Sequence, residues 1–118
     1  MRVEKANPDA AKGWYLGPWN SELNAAVGYA HAAIDEPHLH QRTTEIYLVA
    51  RGHAEARIED ETVRLEPGDI LVVEPGEAHT MLVCSPDYLH FVVHLPGLPP
   101  EEARADKVMA SRKRLGLL

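Results

Sequence analysis

The chain has 118 residues, 45% of them hydrophobic, with seven histidines, one cysteine and a formal charge of −6 at pH 7. That length holds one compact domain with a real core, and the acidic balance argues against a nucleic-acid partner or an anionic membrane surface, both of which need a basic face. Cys84 alone forms no intrachain disulfide, no signal-type apolar stretch opens the sequence, and no run approaches the ~20 apolar residues that span a bilayer, so the reading is a cytoplasmic protein.

Residues 1–22, rich in Pro, Gly, Trp and charge, read as an irregular N-terminal arm with at most a short edge strand. Trp14, Tyr15 and Trp19 are expected there to close one end of the core rather than to stack on a ligand. From residue 23 to residue 95 short apolar or alternating runs are separated by turn signals. Strands are predicted over 23–32, 45–50, 53–60, 62–66, 70–73, 80–84 and 88–95, with "EPGD" (66–69) and "EPGEAH" (74–79) as turns. Strands so spaced, with no helical period between them, indicate an all-β antiparallel sandwich or barrel. Residues 96–118 form a C-terminal linker and helix. "PGLPP" stops the sheet, and residues 101–116 carry helix signals: Pro100 ahead, Glu101 and Glu102 in the first turn, Arg112 to Arg114 in the last, Gly116 past the end. Ala105, Val108, Met109 and Arg112 would share one face of that helix, and the basic cluster reads as dipole-matching helix surface.

The chemistry concentrates in "PHLHQRTTEIYLVARG" (37–52). Alternation in an extended segment puts His38 and His40 on one face, and the four residues before Glu45 allow a turn that brings its carboxylate back to them. Two imidazoles and a carboxylate suit one divalent transition metal (Fe, Mn, Zn, Ni, Co or Cu) and leave positions open for water or substrate. Downstream, Gly68 opens a turn, an apolar strand follows, Pro75-Gly76 turns again, and His79 begins the next strand, well placed for binding.

The two segments together resemble the paired motifs of the cupins, which are small jelly-roll barrels. The first is carried by His38-Leu39-His40, "QRTT", Glu45, "IYLVAR" and Gly52, with Ala32 where the motif has its leading glycine. The second is carried by Gly68, "DILVV", "EPG" (74–76), "EA" and His79; Glu74 stands at its first proline and Val83 at its final asparagine. None of these departures removes a ligand. Over residues 23–95 the resemblance implies an antiparallel jelly-roll β-barrel in which His38, His40, Glu45 and His79 bind one divalent metal. It also implies a homodimer, since dimers are common among such proteins. Glu45 has a second possible role, as a catalytic base.

The remaining polar residues are placed by alternation. Tyr47 and Val49 follow Glu45 inward and line the pocket, Met81 follows His79 as an apolar wall, and Tyr29 and His31 share a face of the 23–32 strand as further pocket candidates. In the last strand His90 and His94 share one face and Leu89, Phe91, Val93 and Leu95 the other. An apolar inner face puts both histidines at the surface; a polar one lets His90 touch a ligand. Cys84, off the His79 face, reads as a buried inert thiol, and His53 as a strand entrance. Strands 45–50 and 70–73 are apolar on both faces, so something covers the outer one: the arm, the C-terminal helix or a second subunit.

The leading expectation is a metal-dependent enzyme of oxygenase type acting on a small enolic or aromatic molecule. The alternatives are a non-redox isomerase or lyase, and a non-catalytic module that binds a sugar-like ligand. A phosphosugar substrate would require cations at the cavity, for which Arg42, Arg51, Arg57 and Arg64 are the candidates considered.

Overall fold

The computed structural model describes residues 1–118. Ten strands and one short helix build two antiparallel sheets, the all-β jelly roll expected. One sheet contains β1 (Lys12–Leu16), β2 (Ala26–Ala30), β9 (Leu89–Leu95), β4 (Thr44–Arg51) and β7 (Ile70–Val73), side by side in that order. The other contains β10 (Lys107–Met109), β3 (His38–His40), β8 (His79–Cys84), β5 (Ala54–Ile58) and β6 (Glu61–Leu65). Helix α1 (Pro100–Asp106) leads directly into β10. No helix of the chain is long and apolar enough to cross a membrane.

The inner faces of the sheets are packed shut at one end and hollow at the other. Val49, Ala54, Ala56, Leu65, Met81 and Tyr88 form the main core cluster. A second, smaller cluster of Tyr47, Val73 and Val92 adjoins the polar residues of the hollow end. Burial along β4 follows the predicted alternation: Glu45, Tyr47 and Val49 are buried, while Leu48 and Ala50 are exposed. Gly52 ends this strand at φ 70°, and a Cβ there would lie 2.8 Å from Tyr88 Cα, so the closed end requires a residue without a side chain. Gly76, at φ 87°, donates its N–H to His40 O at 2.7 Å and ties the β7–β8 turn to β3.

Two expectations need correction, and a facing that the sequence leaves open is fixed. The predicted helix over 101–116 stops at Asp106, and Lys107–Met109 instead form an edge strand on β3, with Lys107 opposite His40 and Met109 opposite His38. Completing this short-stranded sheet with β-branched Val108 outweighs the helix propensity of the segment. The basic cluster therefore lies on a turn rather than a helix. There Arg112 pairs with Asp35 and Arg114 with Glu59, while Leu115, 0% exposed, is pinned through its carbonyl by Arg57. The facing left open is that of β9, whose inner face is the polar one. Cross-strand pairing sets His90 opposite Val49, Val92 opposite Tyr47 and His94 opposite Glu45, all inward-facing positions, and puts Phe91 and Val93 on the outer face. The second correction is that a bulge in β8 at Leu82, between the pairs Ala56–Met81 and Glu55–Val83, resets the alternation. Cys84 consequently packs against the main core, half-buried rather than sealed, and its sulfur accepts the Ala33 N–H at 3.2 Å.

Candidate metal centre and its cavity

The hollow end is a cavity of about 630 Å³. On its wall His38 and His40 come from β3, His79 from β8 and Glu45 from β4, so both sheets contribute. The ligand atoms of these four residues lie within 4.8 Å of one another. Three imidazole nitrogens converge on one carboxylate oxygen: Glu45 Oε1 is 2.7 Å from His79 Nε2, 2.9 Å from His40 Nε2 and 3.7 Å from His38 Nε2. Glu45 Oε2 is held separately, accepting from Tyr47 Oη at 2.9 Å and from His94 Nε2 at 2.9 Å.

The outer nitrogens decide what the inner ones can do. His38 Nδ1 lies 2.6 Å from Glu36 O, His79 Nδ1 3.0 Å from Glu77 O, and His40 Nδ1 3.1 Å from Asp106 Oδ2. All three partners are acceptors only, so each Nδ1 carries the proton and each neutral ring turns an Nε2 lone pair inward. Three lone pairs facing a carboxylate oxygen repel unless positive charge lies among them. Protonating all three rings would supply it, at the cost of a buried excess of charge. One divalent cation satisfies the set directly, and the fixed Nδ1–H groups are the outer support that metal-binding histidines use. The donor set therefore fits a transition metal, and the cluster could hold one.

With no cation among the donors, only imidazole protons can satisfy the carboxylate: burial alone would raise the Glu45 carboxyl, which is 4% exposed, but hydrogen bonds from His38, His40, His79 and His94 hold it well below the usual carboxylate range, and a bound metal would take the place of the protons on the three ligand rings. His40 would be lowered by burial; the carboxylates of Glu45 and Asp106 on either side raise it instead. Burial would likewise raise Asp106, but hydrogen bonds from Arg42 N–H, the Thr43 hydroxyl and His40 keep it below its ordinary value. Burial and the neighbouring Glu45 charge push the Tyr47 hydroxyl far up, so it stays a donor.

Of the other predicted pocket residues, Tyr47, Met81 and His90 line the cavity. Tyr29 borders it, but its hydroxyl accepts the Asn7 N–H at 2.9 Å and its ring packs on Tyr15, so it holds the arm in place. Val49 does not reach the cavity, because it sits one step deeper in the closed core. Nor does His31, which lies past the end of β2 with Nδ1 against Ala10 O at 3.1 Å. Arg42, Arg51, Arg57 and Arg64 are absent from the wall; its cations are Lys12, Arg104 and Lys107.

Several participants escape the sequence reading. Alternation leaves the facing of His94 open, because the opposite face of its strand is the more apolar one. Asp106 lies inside the segment expected to be helical, and no local signal in the sequence marks it. Trp14 and Trp19, expected only to cap the core, line the cavity mouth. Tyr88 reaches the site through His90: its hydroxyl lies 2.6 Å from His90 Nδ1.

The family model of the Cupin domain matches residues 27–95. The chain belongs to the cupin family. No curated protein matches it significantly. Among solved structures, this cupin is similar to KdgF from Halomonas sp., at 22% identity over 77% of this chain and 81% of that one, with a TM-score of 0.64. It is similar to a Streptomyces Pac13 variant with uridine, at 13% identity over 92% of this chain and 85% of that one, TM-score 0.69; Pac13 is described as a unique nucleoside dehydratase. It also resembles an uncharacterized conserved protein with a double-stranded β-helix domain from Klebsiella pneumoniae, at 23% identity over 92% and 90% of the two chains, TM-score 0.63. At these identities the likeness bears on the fold alone.

Proposed function

We propose that this cupin is a metal-dependent enzyme that moves protons on a small oxygen-bearing molecule, as a lyase or isomerase. His38, His40, Glu45 and His79 are the metal ligands in this reading, and the bound ion supplies Lewis-acid polarisation of a substrate oxygen. Glu45 acts as a ligand rather than as a base, because Oε1 faces the imidazoles and Oε2 is occupied by Tyr47 and His94. That leaves another group to stabilise the negative charge that develops on a substrate oxygen when a proton is removed.

His90 carries the reading. Burial, only partly opposed by the Glu45 charge, lowers its pKa to about 4, so the ring is neutral. The buried Tyr88 hydroxyl has His90 Nδ1 as its one partner and therefore donates to it. The ring proton then sits on Nε2, which has no partner in the chain. No buried side-chain polar atom is left unsatisfied, so this nitrogen opens to the cavity. A neutral N–H aimed into a metal-bearing cavity can donate to a substrate oxygen as negative charge develops on it. Tyr88 holds the tautomer that makes this possible.

This places the lyase or isomerase class ahead of the oxygenase first expected. The oxygenase reading keeps one support: four protein donors leave two positions of an octahedral ion free. The test is elemental analysis of the purified protein, then anaerobic incubation of the metal-loaded form with small hydroxy-carbonyl compounds and sugar acids in D₂O, followed by proton NMR. Metal-dependent deuterium uptake or water loss, abolished by His90→Gln, is the expected result. Turnover that appears only with stoichiometric oxygen uptake would shift the assignment to an oxygenase. The reading also includes a homodimer through the outer face of β4 and β7, where Leu48, Ile70 and Val72 lie exposed, and light scattering tests it.

A further inference from the structure

The mouth of the cavity has a composition that the metal centre does not explain. Trp14, from β1, and Trp19, from the loop after it, stand at its rim 49% and 44% exposed. Indoles so exposed are usually mobile surface, yet these two are seated. Trp14 lies against Gly28, where an added Cβ would come within 2.8 Å of its ring, and Trp19 folds over Gly17, where a Cβ would come within 2.1 Å. The two rings meet edge-on at 6.0 Å and 79°, and Trp14 in turn meets the His94 ring at 4.9 Å and 74°. An aromatic corner thus leads from solvent to the imidazole beside Glu45.

The charge at the same rim runs against the protein as a whole. Across the chain, acids outnumber Lys and Arg by 18 to 12. At the cavity the cations are Lys12, Arg104 and Lys107, and the acids are Glu36, Glu45 and Asp106. Each acid is committed: Glu36 to Lys107, Glu45 to the imidazoles, Asp106 to His40 and Arg42. Lys12 and Arg104 have no ion-pair partner in the chain. They enter from different elements, Lys12 from β1 and Arg104 from α1.

We propose that the rim is a substrate-recognition subsite for a small ring-bearing organic anion, a carboxylate or a phosphate monoester, whose ring packs in the Trp14–Trp19 corner and whose charge is met by Lys12 and Arg104. This names the substrate class of the site described above and rests on that reading for its catalytic meaning, but not for binding. A ring face on an indole gains apolar and π contact, and Lys12 and Arg104, which make no salt bridge in the chain, attract an anion to the rim independently of the metal, Lys12 against only a long-range pull from Glu36.

The chain contains two tryptophans, both at this rim, so intrinsic tryptophan fluorescence reports the subsite alone. The probes are benzoate and phenyl phosphate, against neutral benzyl alcohol and ring-free acetate, titrated into metal-loaded and chelated protein. Benzoate or phenyl phosphate should change the emission and bind roughly tenfold tighter than benzyl alcohol, in both metal states. That preference should collapse between about 0.05 and about 0.5 M salt as the cations are screened. Lys12→Ala with Arg104→Ala should remove the charge preference and keep ring binding; Trp14→Ala should remove ring binding. The salt series is done on the wild type, so it stands even where a variant misfolds. Equal binding of charged and neutral rings, or a preference that vanishes with the metal, overturns the proposal. Selective binding without turnover of any compound upholds the subsite while removing the catalytic reading.

Discussion

Replacing Asp106 by asparagine isolates the outer support of the metal centre. Asp106 Oδ1 accepts the Arg42 N–H at 2.6 Å and Oδ2 faces His40 Nδ1 at 3.1 Å. In Asp106→Asn one side-chain oxygen remains, and the Arg42 N–H claims it, because an amide nitrogen there would face another donor. The NH₂ group then faces His40 Nδ1 and requires a lone pair, which moves the ring proton to Nε2 and removes the donor that the metal needs. Loss of such an outer partner weakens metal binding by about 10–100-fold, or roughly 1.4–2.8 kcal/mol. The assay is a chelator-competition titration with Zn²⁺ or Mn²⁺ on folded protein, with fold checked by circular dichroism. His90→Gln serves as the control, since that ring makes no contact with a ligand nitrogen and should bind metal as the wild type does. Wild-type affinity in Asp106→Asn would refute the tautomer argument, as would an equal loss in His90→Gln.

Three further outcomes follow from the same structure. His90 titrates at about 4 when folded against an ordinary 6.5, so the unfolded chain binds more protons in that window and stability falls as pH drops from 6.5 towards 4. The single-site loss is about 3 kcal/mol, to be read as a steeper wild-type than His90→Gln dependence of urea midpoints on pH. Leu115→Ala opens a hole under the C-terminal turn at a position that is 0% exposed, at a cost of about 2–5 kcal/mol, measured by denaturant titration; an unchanged midpoint would mean the turn is not part of the cooperative unit. Metal at a hundred times its Kd should stabilise the protein by about 2.7 kcal/mol, so chelation should lower Tm in the wild type and leave Glu45→Gln, already stripped of its central anion, unmoved.

The four residues of the cluster were legible through the paired cupin motifs, since spacing by itself places only two imidazoles and a carboxylate near one another. His38 and His40 share a face by strand alternation, and the chain reversals at Gly52 and Gly76 fix where the neighbouring strands end and begin. The facing of β9 was not legible, because alternation arguments assume that the apolar face is the inner one. Here the inner face carries His90 and His94 for the site, and the outer Phe91 is partly covered by Tyr15 of the arm, at 6.3 Å between rings. The C-terminal segment misled for a different reason. Its composition is helical, but the decisive interaction, pairing of Lys107–Met109 with β3, is with residues nearly seventy positions earlier, and no local signal contains it. Asp106 was lost with it. The Trp14–Trp19 corner failed on a third ground: a sequence shows that an aromatic exists, not which side of it stays open.

The donors come from both layers of the sandwich, His38, His40 and His79 from one sheet and Glu45 from the other. An ion bound there would cross-link the two layers at their hollow end, so loading the site should make the parting of the sheets harder. The opening that gives a substrate access to the donors gives a chelator the same access, so stripping the ion would not require the layers to separate.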